Sequence, residues 1–322
     1  MNSLNLFDPL TSRWFSDTLG MPTAVQEEAW PAIAAGEHTL VSAPTGTGKT
    51  LSAFLVFIDR LKAQARKGSL KQELQLIYVS PLKSLAGDIR ENLRRPLNGI
   101  FEKEQLEYAS AKATSFDLKV AIRTGDTPQS ERRSMIKTPP HILIITPESL
   151  YLLLTSKTGR KMLSTAKAII LDELHALIDS KRGAHLMLSI ARLDKLCPAP
   201  LQRIGLSATI EPLSKASDYL SPEPVSIVAP KMHKKVQLLV TSPLSETHGL
   251  KKESIWYELS NMVYKNCEGA RSVIAFVDGR ASAEKLAYFV NQLGGDGFAR
   301  THHGSLSKEQ RLKWKTPFVT ED

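Results

Sequence analysis

Apolar positions along the first two thirds of the chain fall into short continuous runs separated by stretches of helical spacing. His38-Thr39-Leu40-Val41-Ser42, Leu76-Ile77-Tyr78-Val79, Leu118-Lys119-Val120-Ala121-Ile122, Ile142-Leu143-Ile144-Ile145, Lys167-Ala168-Ile169-Ile170-Leu171 and Arg203-Ile204-Gly205-Leu206 read as buried strands. Between them, Leu51, Phe54, Leu55, Ile58 and Leu61 recur at helical spacing, as do Leu85, Ile89 and Leu93, and then Leu150, Leu153 and Leu154. Strands alternating with helical connections predict βαβ units around a parallel sheet, an α/β fold. Ser221-Pro222-Glu223-Pro224 breaks the pattern, and Pro230 to Lys235 reads as an exposed connector. A second series follows, with a strand expected over Ser272–Val277, a helix over Ser282–Gln292 and another strand over Ala299–His302.

At 322 residues two domains are expected. Hydrophobic residues make up 42% and charged residues 23%, a globular composition. No run of 18 apolar residues suggests a membrane span, and Met1 to Asp8 does not read as a signal peptide. Cys197 and Cys267 have neither metal-ligand spacing nor a disulfide framework, which favours a reducing, cytoplasmic setting. The net charge of +9 favours an anionic polymer as partner.

Two segments carry chemistry. Ala43-Pro44-Thr45-Gly46-Thr47-Gly48-Lys49-Thr50 lies between a predicted strand and a predicted helix, the setting of a phosphate-binding loop, with Ala43 at the usual first glycine. Gly46 and Gly48 let the backbone approach a ligand, and the helix start aims its N–H groups at phosphates. Lys49 is then expected to reach the β- and γ-phosphates of ATP, and the Thr50 hydroxyl to ligate Mg²⁺. Asp172-Glu173-Leu174-His175 follows the strand ending at Leu171, at the sheet edge where such folds bind ligands. Asp172 is expected in the Mg²⁺ shell, and Glu173 beside the attacking water.

Further segments stand in a telling order. Gly20 to Gln26 resembles a Q motif, Ser80 to Leu85 motif Ia, Thr146 to Leu150 motif Ib, Ser207-Ala208-Thr209 motif III and Phe276 to Arg280 motif IV. Together they resemble superfamily 2 helicases. The Pro-Leu-Lys segment, Tyr151 to Leu171, Lys181 to His185 and His302 to Ser307 are similar to the Lhr-type DNA helicases, a likeness running from about residue 10 to 312. The resemblance implies a RecA-like P-loop domain over 1–220, a linker over 221–235 and the first part of a second RecA-like domain over 236–322. It implies that Gln26 reads adenine while Pro44, Thr45, Gly46, Thr47, Gly48, Lys49 and Thr50 hold the nucleotide. His175, Ser207 and Thr209 would relay nucleotide state. Lys83, Arg90, Thr124, Gly125, Thr146 and Arg280 would line a nucleic-acid face, with single-stranded DNA the expected partner and RNA or a hybrid the alternatives.

Motif V and the Gln-x-x-Gly-Arg-x-Gly-Arg box of motif VI do not occur in these 322 residues. Three readings therefore stand: an ATP-dependent translocase and helicase, a module that binds ATP and nucleic acid without unwinding, and an RNA-directed P-loop ATPase. The chain alone is expected to hydrolyse ATP slowly.

Overall fold

The structure is a computed structural model that describes residues 3–81, 83–107, 118–231, 237–242, 252–270 and 272–303. The chain divides into two compact units, 1–233 and 234–322. After a short 3-10 turn (Ser3–Leu6), the first unit runs α1 (Pro9–Leu19), α2 (Ala24–Ala35), β1 (His38–Ser42), α3 (Lys49–Arg66), β2 (Leu76–Val79), α4 (Lys83–Glu107), β3 (Val120–Arg123) and α5 (Gln129–Lys137). It continues with β4 (Ile142–Ile145), α6 (Pro147–Thr155), α7 (Lys157–Leu163), β5 (Ala168–Leu171), α8 (Leu174–Leu177), α9 (Lys181–Leu196), β6 (Gln202–Ser207), α10 (Leu213–Leu220) and β7 (Val225–Val228).

The seven strands form one sheet in the order β3-β4-β2-β5-β6-β1-β7, every neighbouring pair parallel. Because strand side chains alternate, each strand feeds two cores. Leu76, Tyr78, Ile142, Ile144, Ala168 and Ile170 pack on one face with Trp30, Phe54 and Ile58 from α2 and α3. Ile77, Val79, Leu143, Ile145, Ile169 and Leu171 pack on the other with Leu150, Leu186 and Ile190 from α6 and α9. Burial on both faces explains why the strands read as unbroken apolar runs. Gly205 in β6 permits a close approach, since a Cβ there would meet Leu174 Cδ1 at 2.4 Å and Leu220 Cδ2 at 3.1 Å.

The expected linker needs correction at its start. Val225–Val228 forms β7, which pairs with β1 in the register His38↔Val225 to Val41↔Val228. Pro222, Pro224 and Pro230 flank this strand and mask it in the sequence, and such prolines are compatible with a sheet edge.

The second unit carries α11 (Lys252–Cys267) and α12 (Arg280–Gly294), which covers the expected helix. The two expected strands are absent among its described residues. Residues 272–277 have no strand pairing, with Ile274 78% and Phe276 93% exposed. A strand requires a neighbouring backbone, and no described residue of this unit offers one. Around Ala299 side chains replace ladder bonds: Asn291 donates to the Ala299 carbonyl (3.0 Å) and accepts from its N–H (2.7 Å), and Thr301 donates to Glu284 (3.1 Å).

Candidate nucleotide and nucleic-acid site

β1 delivers the chain to the carboxyl edge of the sheet, and Ala43 stays tied there through its N–H to the Ser207 carbonyl (3.2 Å). Gly46 (φ 81°) and Gly48 (φ 87°) then take left-handed conformations. The Thr47 hydroxyl donates to the Pro44 carbonyl (2.8 Å), and Lys49 Nζ donates to the carbonyls of Ala43 (2.5 Å) and Pro44 (2.8 Å). The lysine's charge therefore sits over the loop that α3 points into. A second clamp comes from the start of α2. Thr23 Oγ1 donates to the Thr47 carbonyl (2.9 Å), and the Thr23 N–H donates to Gln26 Oε1 (2.9 Å), forming a capping box. Gln26 Nε2 lies so close to Gly48 that a Cβ there would meet it at 2.6 Å. The turn carrying Gln26 and the phosphate-type loop are thus one packed unit.

Asp172 follows β5 and is only 8% exposed. Tyr78, fully buried on neighbouring β2, donates its hydroxyl to Asp172 Oδ2, and the Glu173 N–H donates to Asp172 Oδ1 (2.9 Å). Burial raises the Asp172 pKa above its ordinary value, the Tyr78 hydroxyl opposes this, the Glu173 charge adds to it and the Lys49 charge offsets part. Glu173 itself is left-handed (φ 52°, ψ 46°), a conformation that costs a non-glycine residue about 1–2 kcal/mol. His175 Nε2 lies 3.2 Å from Glu173 Oε2, while His175 Nδ1 accepts the Ala208 N–H (3.2 Å) and stands 3.4 Å from Ser207 Oγ. An accepting Nδ1 fixes the proton on Nε2, where it faces Glu173. One hydrogen-bonded chain therefore joins the loop after β5 to the loop after β6. Thr45, Gly46, Gly48, Lys49, Thr50, Asp172 and Glu173 line a common cleft of about 800 Å³, joined by Trp14 from α1 and by Arg94 and Arg95 from α4.

Residues expected on the nucleic-acid face are more scattered. Thr124 and Gly125 form the turn after β3. Thr124 is buried and its hydroxyl accepts the Asp126 N–H (3.2 Å), whereas Gly125 is exposed. Thr146 caps α6, buried, with its hydroxyl donating to Ser149 (3.0 Å). Both threonine hydroxyls are engaged within their own turns. Thr209 is exposed after β6. Lys83 and Arg90 fall in α4, their side chains outside the described residues. Arg280 opens α12 in the second unit. His302 and His303 close the described stretch, His303 Nε2 lying 2.8 Å from Glu284, and residues 304–307 of the expected similarity lie outside it.

The profile of the DEAD/DEAH box helicase family matches residues 23–216. The chain belongs to that family. It is 38% identical over 95% of its length to the Lhr helicase/uracil glycosylase of Escherichia coli, and 39% identical over 93% to the ATP-dependent helicase Lhr-Core of Methanocaldococcus jannaschii. It spans 23% and 35% of those proteins. Among solved structures, Mycobacterium smegmatis helicase Lhr bound to ssDNA and AMP-PNP matches 98% of this chain, and 40% of its own, at a TM-score of 0.83 and 42% identity. The helicase MrfA matches at a TM-score of 0.72 and 21% identity, a likeness of fold. The α/β sheet is thus a RecA-like helicase core, and the relatives of this chain are Lhr-type helicases. No described helix is long and apolar enough to cross a membrane.

Two residues of this helicase core make contacts that the sequence reading did not assign, although Arg182 falls within its Lys181–His185 segment. Tyr78 looked like one more apolar strand residue, yet its hydroxyl reaches Asp172 across the pleat. Arg182 on α9 donates to Glu148 through Nε (2.5 Å) and Nη2 (3.0 Å) and to the Pro81 carbonyl through Nη1 (2.5 Å). It ties the loop after β2 to the first turn of α6. Neither contact leaves a sequence signal, because each depends on which strands are neighbours.

Proposed function

We propose that this chain is the ATP-binding part of an Lhr-type helicase that couples Mg·ATP hydrolysis to movement along single-stranded DNA. The observation that carries the reading is the cleft shared by the Lys49 loop, Asp172 and Glu173, from which a hydrogen-bonded chain runs through His175 to Ala208. The M. smegmatis relative, captured with ssDNA and AMP-PNP, supports both ligands. In this reading residues 1–233 form the first RecA-like domain and the unit from 234 on begins the second.

Lys49 would leave the loop carbonyls for the β- and γ-phosphates, and Gln26 would meet adenine beside Gly48. Thr50 and Asp172 are hard oxygen donors that suit Mg²⁺, and the repulsion between Asp172 and Glu173 is what a dication there would relieve. Mg²⁺, held by Thr50 and Asp172, would supply charge neutralisation to the bound triphosphate. Glu173, held by the His175 proton, would orient the attacking water. The path through His175 to the Ser207–Thr209 turn would report the state of the γ-phosphate to the strand-binding edge.

Calorimetry with AMP-PNP tests the nucleotide assignment. Lys49→Ala should weaken binding sharply, and equal affinities would sink it. Turnover by these 322 residues alone should be slow, because the Gln-x-x-Gly-Arg-x-Gly-Arg arginines are not among them. Such arginines are worth 10³–10⁵ in rate, or about 4–7 kcal/mol. DNA-stimulated turnover of about 1 s⁻¹, a rate typical of complete enzymes, would overturn that expectation.

A further inference from the structure

Helix α5 sorts its polar residues onto two sides. Gln129, Arg132, Arg133, Ile136 and Lys137 recur at three- and four-residue intervals and share one face. Together with Arg123 at the end of β3 they line a groove of about 410 Å³ against the α6–α7 corner. Glu131, Ser134 and Met135 turn instead toward a different cleft. The helix's one acid is therefore directed away, and no carboxylate lines the groove.

The four cations are not equivalent. Arg132 is committed to the turn after β3, donating to the carbonyls of Thr124 (3.2 Å), Gly125 (2.7 Å) and Thr127 (2.8 Å). Arg123 is half-buried beside Met135 Sδ (3.9 Å), and its basicity is lowered first by burial and then by the Arg132 charge. Arg133 and Lys137 are exposed. Among the described residues, none of the four forms an ion pair with a carboxylate. A solvated face accounts for Arg133 and Lys137 alone. It does not account for Arg123, which is drawn into the same groove against a like charge with no acid to offset it. Two half-buried guanidinium groups in repulsion form a favourable site for an anion. Arg132 also fixes the position, because it anchors the Thr124–Thr127 turn, whose exposed Gly125 leads onto the groove.

We propose that this groove is a further contact for the phosphodiester backbone of a single strand, continuing from the Thr124–Gly125 turn along α5. The inference rests on the strand-binding reading given above and adds a place and a set of residues to it. Recognition would be sequence-blind, since guanidinium and ammonium groups reach phosphate oxygens without reading bases.

The test is fluorescence anisotropy with the full chain and labelled oligothymidylates of increasing length, titrated with salt. Each single-strand phosphate contact contributes about 0.7 to the log–log salt slope. Neutralising two of them with R133Q/K137Q should therefore make the slope shallower by about 1.4 and weaken binding about tenfold at 0.2 M salt. The loss should appear on long oligonucleotides and vanish on the shortest that still binds, and R133K should keep wild-type affinity. If wild type and R133Q/K137Q share one affinity and slope at every length, the groove is no strand contact while the strand-binding reading stands. If the loss is equal at all lengths and comes with a lower melting temperature, the residues act structurally and the proposal falls. If the wild-type chain binds no single strand, the wider reading fails and the proposal with it.

Discussion

Replacing Gly48 by alanine perturbs two things at once, and Gly46 provides the control that separates them. Both glycines are left-handed, so either alanine should lose about 1–2 kcal/mol from backbone strain. At Gly46 nothing lies within 4 Å of the new Cβ, and the backbone strain is the whole effect. At Gly48 the Cβ would lie 2.6 Å from Gln26 Nε2 and 3.1 Å from Cδ, so Gln26 must move. Gln26 is buried and accepts the Thr23 N–H, and moving it breaks the reciprocal half of the α2 capping box, worth about 1 kcal/mol. Urea denaturation should show Gly46→Ala losing about 1–2 kcal/mol and Gly48→Ala about 2–3 kcal/mol. If Gln26 reads adenine, Gly48→Ala should also erode the preference for ATP over GTP by roughly fivefold, the worth of one hydrogen bond, while Gly46→Ala preserves it. Equal stabilities for the two variants would refute the packing argument. Unchanged base preference with the expected instability would refute the role given to Gln26.

Tyr78→Phe removes a donor from a buried carboxylate and should lower stability by about 1–3 kcal/mol in urea denaturation; a neutral result would mean that Asp172 is satisfied without it. Glu148 is held below the usual carboxylate range, first by its hydrogen bond to Arg182. A depressed folded-state pKa contributes stability above the unfolded value that is lost as pH falls through the folded one. Glu148→Gln should therefore lower the melting temperature at neutral pH, with the gap to wild type closing in acid; a gap constant with pH would assign the effect to shape alone. Burial pushes the Cys197 thiol up to about 11, and it donates to the Leu163 carbonyl (3.5 Å) inside the second core. Alkylation near pH 8 followed by mass spectrometry should mark Cys267 well before Cys197, and the reverse order would contradict the packing of that core.

The sequence carried most of the first unit because its signals are local. β1, β2 and β4 occupy the residues read from the apolar runs, and β3, β5 and β6 shift by one or two at their ends. The placement of the Lys49 loop after β1 and of the Asp172–Glu173 pair after β5 was readable for the same reason, each being a short segment next to a local strand signal. What could not be read is what depends on strand order. β5 is hydrogen-bonded to both β2 and β6, so Asp172 meets Tyr78 on one side and His175 meets Ala208 on the other. No periodicity encodes that neighbourhood. β7 was hidden by its prolines, which mark a loop in a linear reading and an edge strand once β1 is seen to have a free side. The opposite error occurred at residues 272–277. Their Val-Ile-Ala-Phe-Val pattern has strand propensity, but propensity yields a strand only when another backbone stands alongside. β1 gave Val225–Val228 such a partner. Nothing described in the second unit gives one to Ser272–Val277, which leaves Ile274 and Phe276 exposed. Strand formation here follows the available partner more closely than the apolar pattern, and by the same logic Arg123 and Arg132 share one groove because β3 and α5 are adjacent.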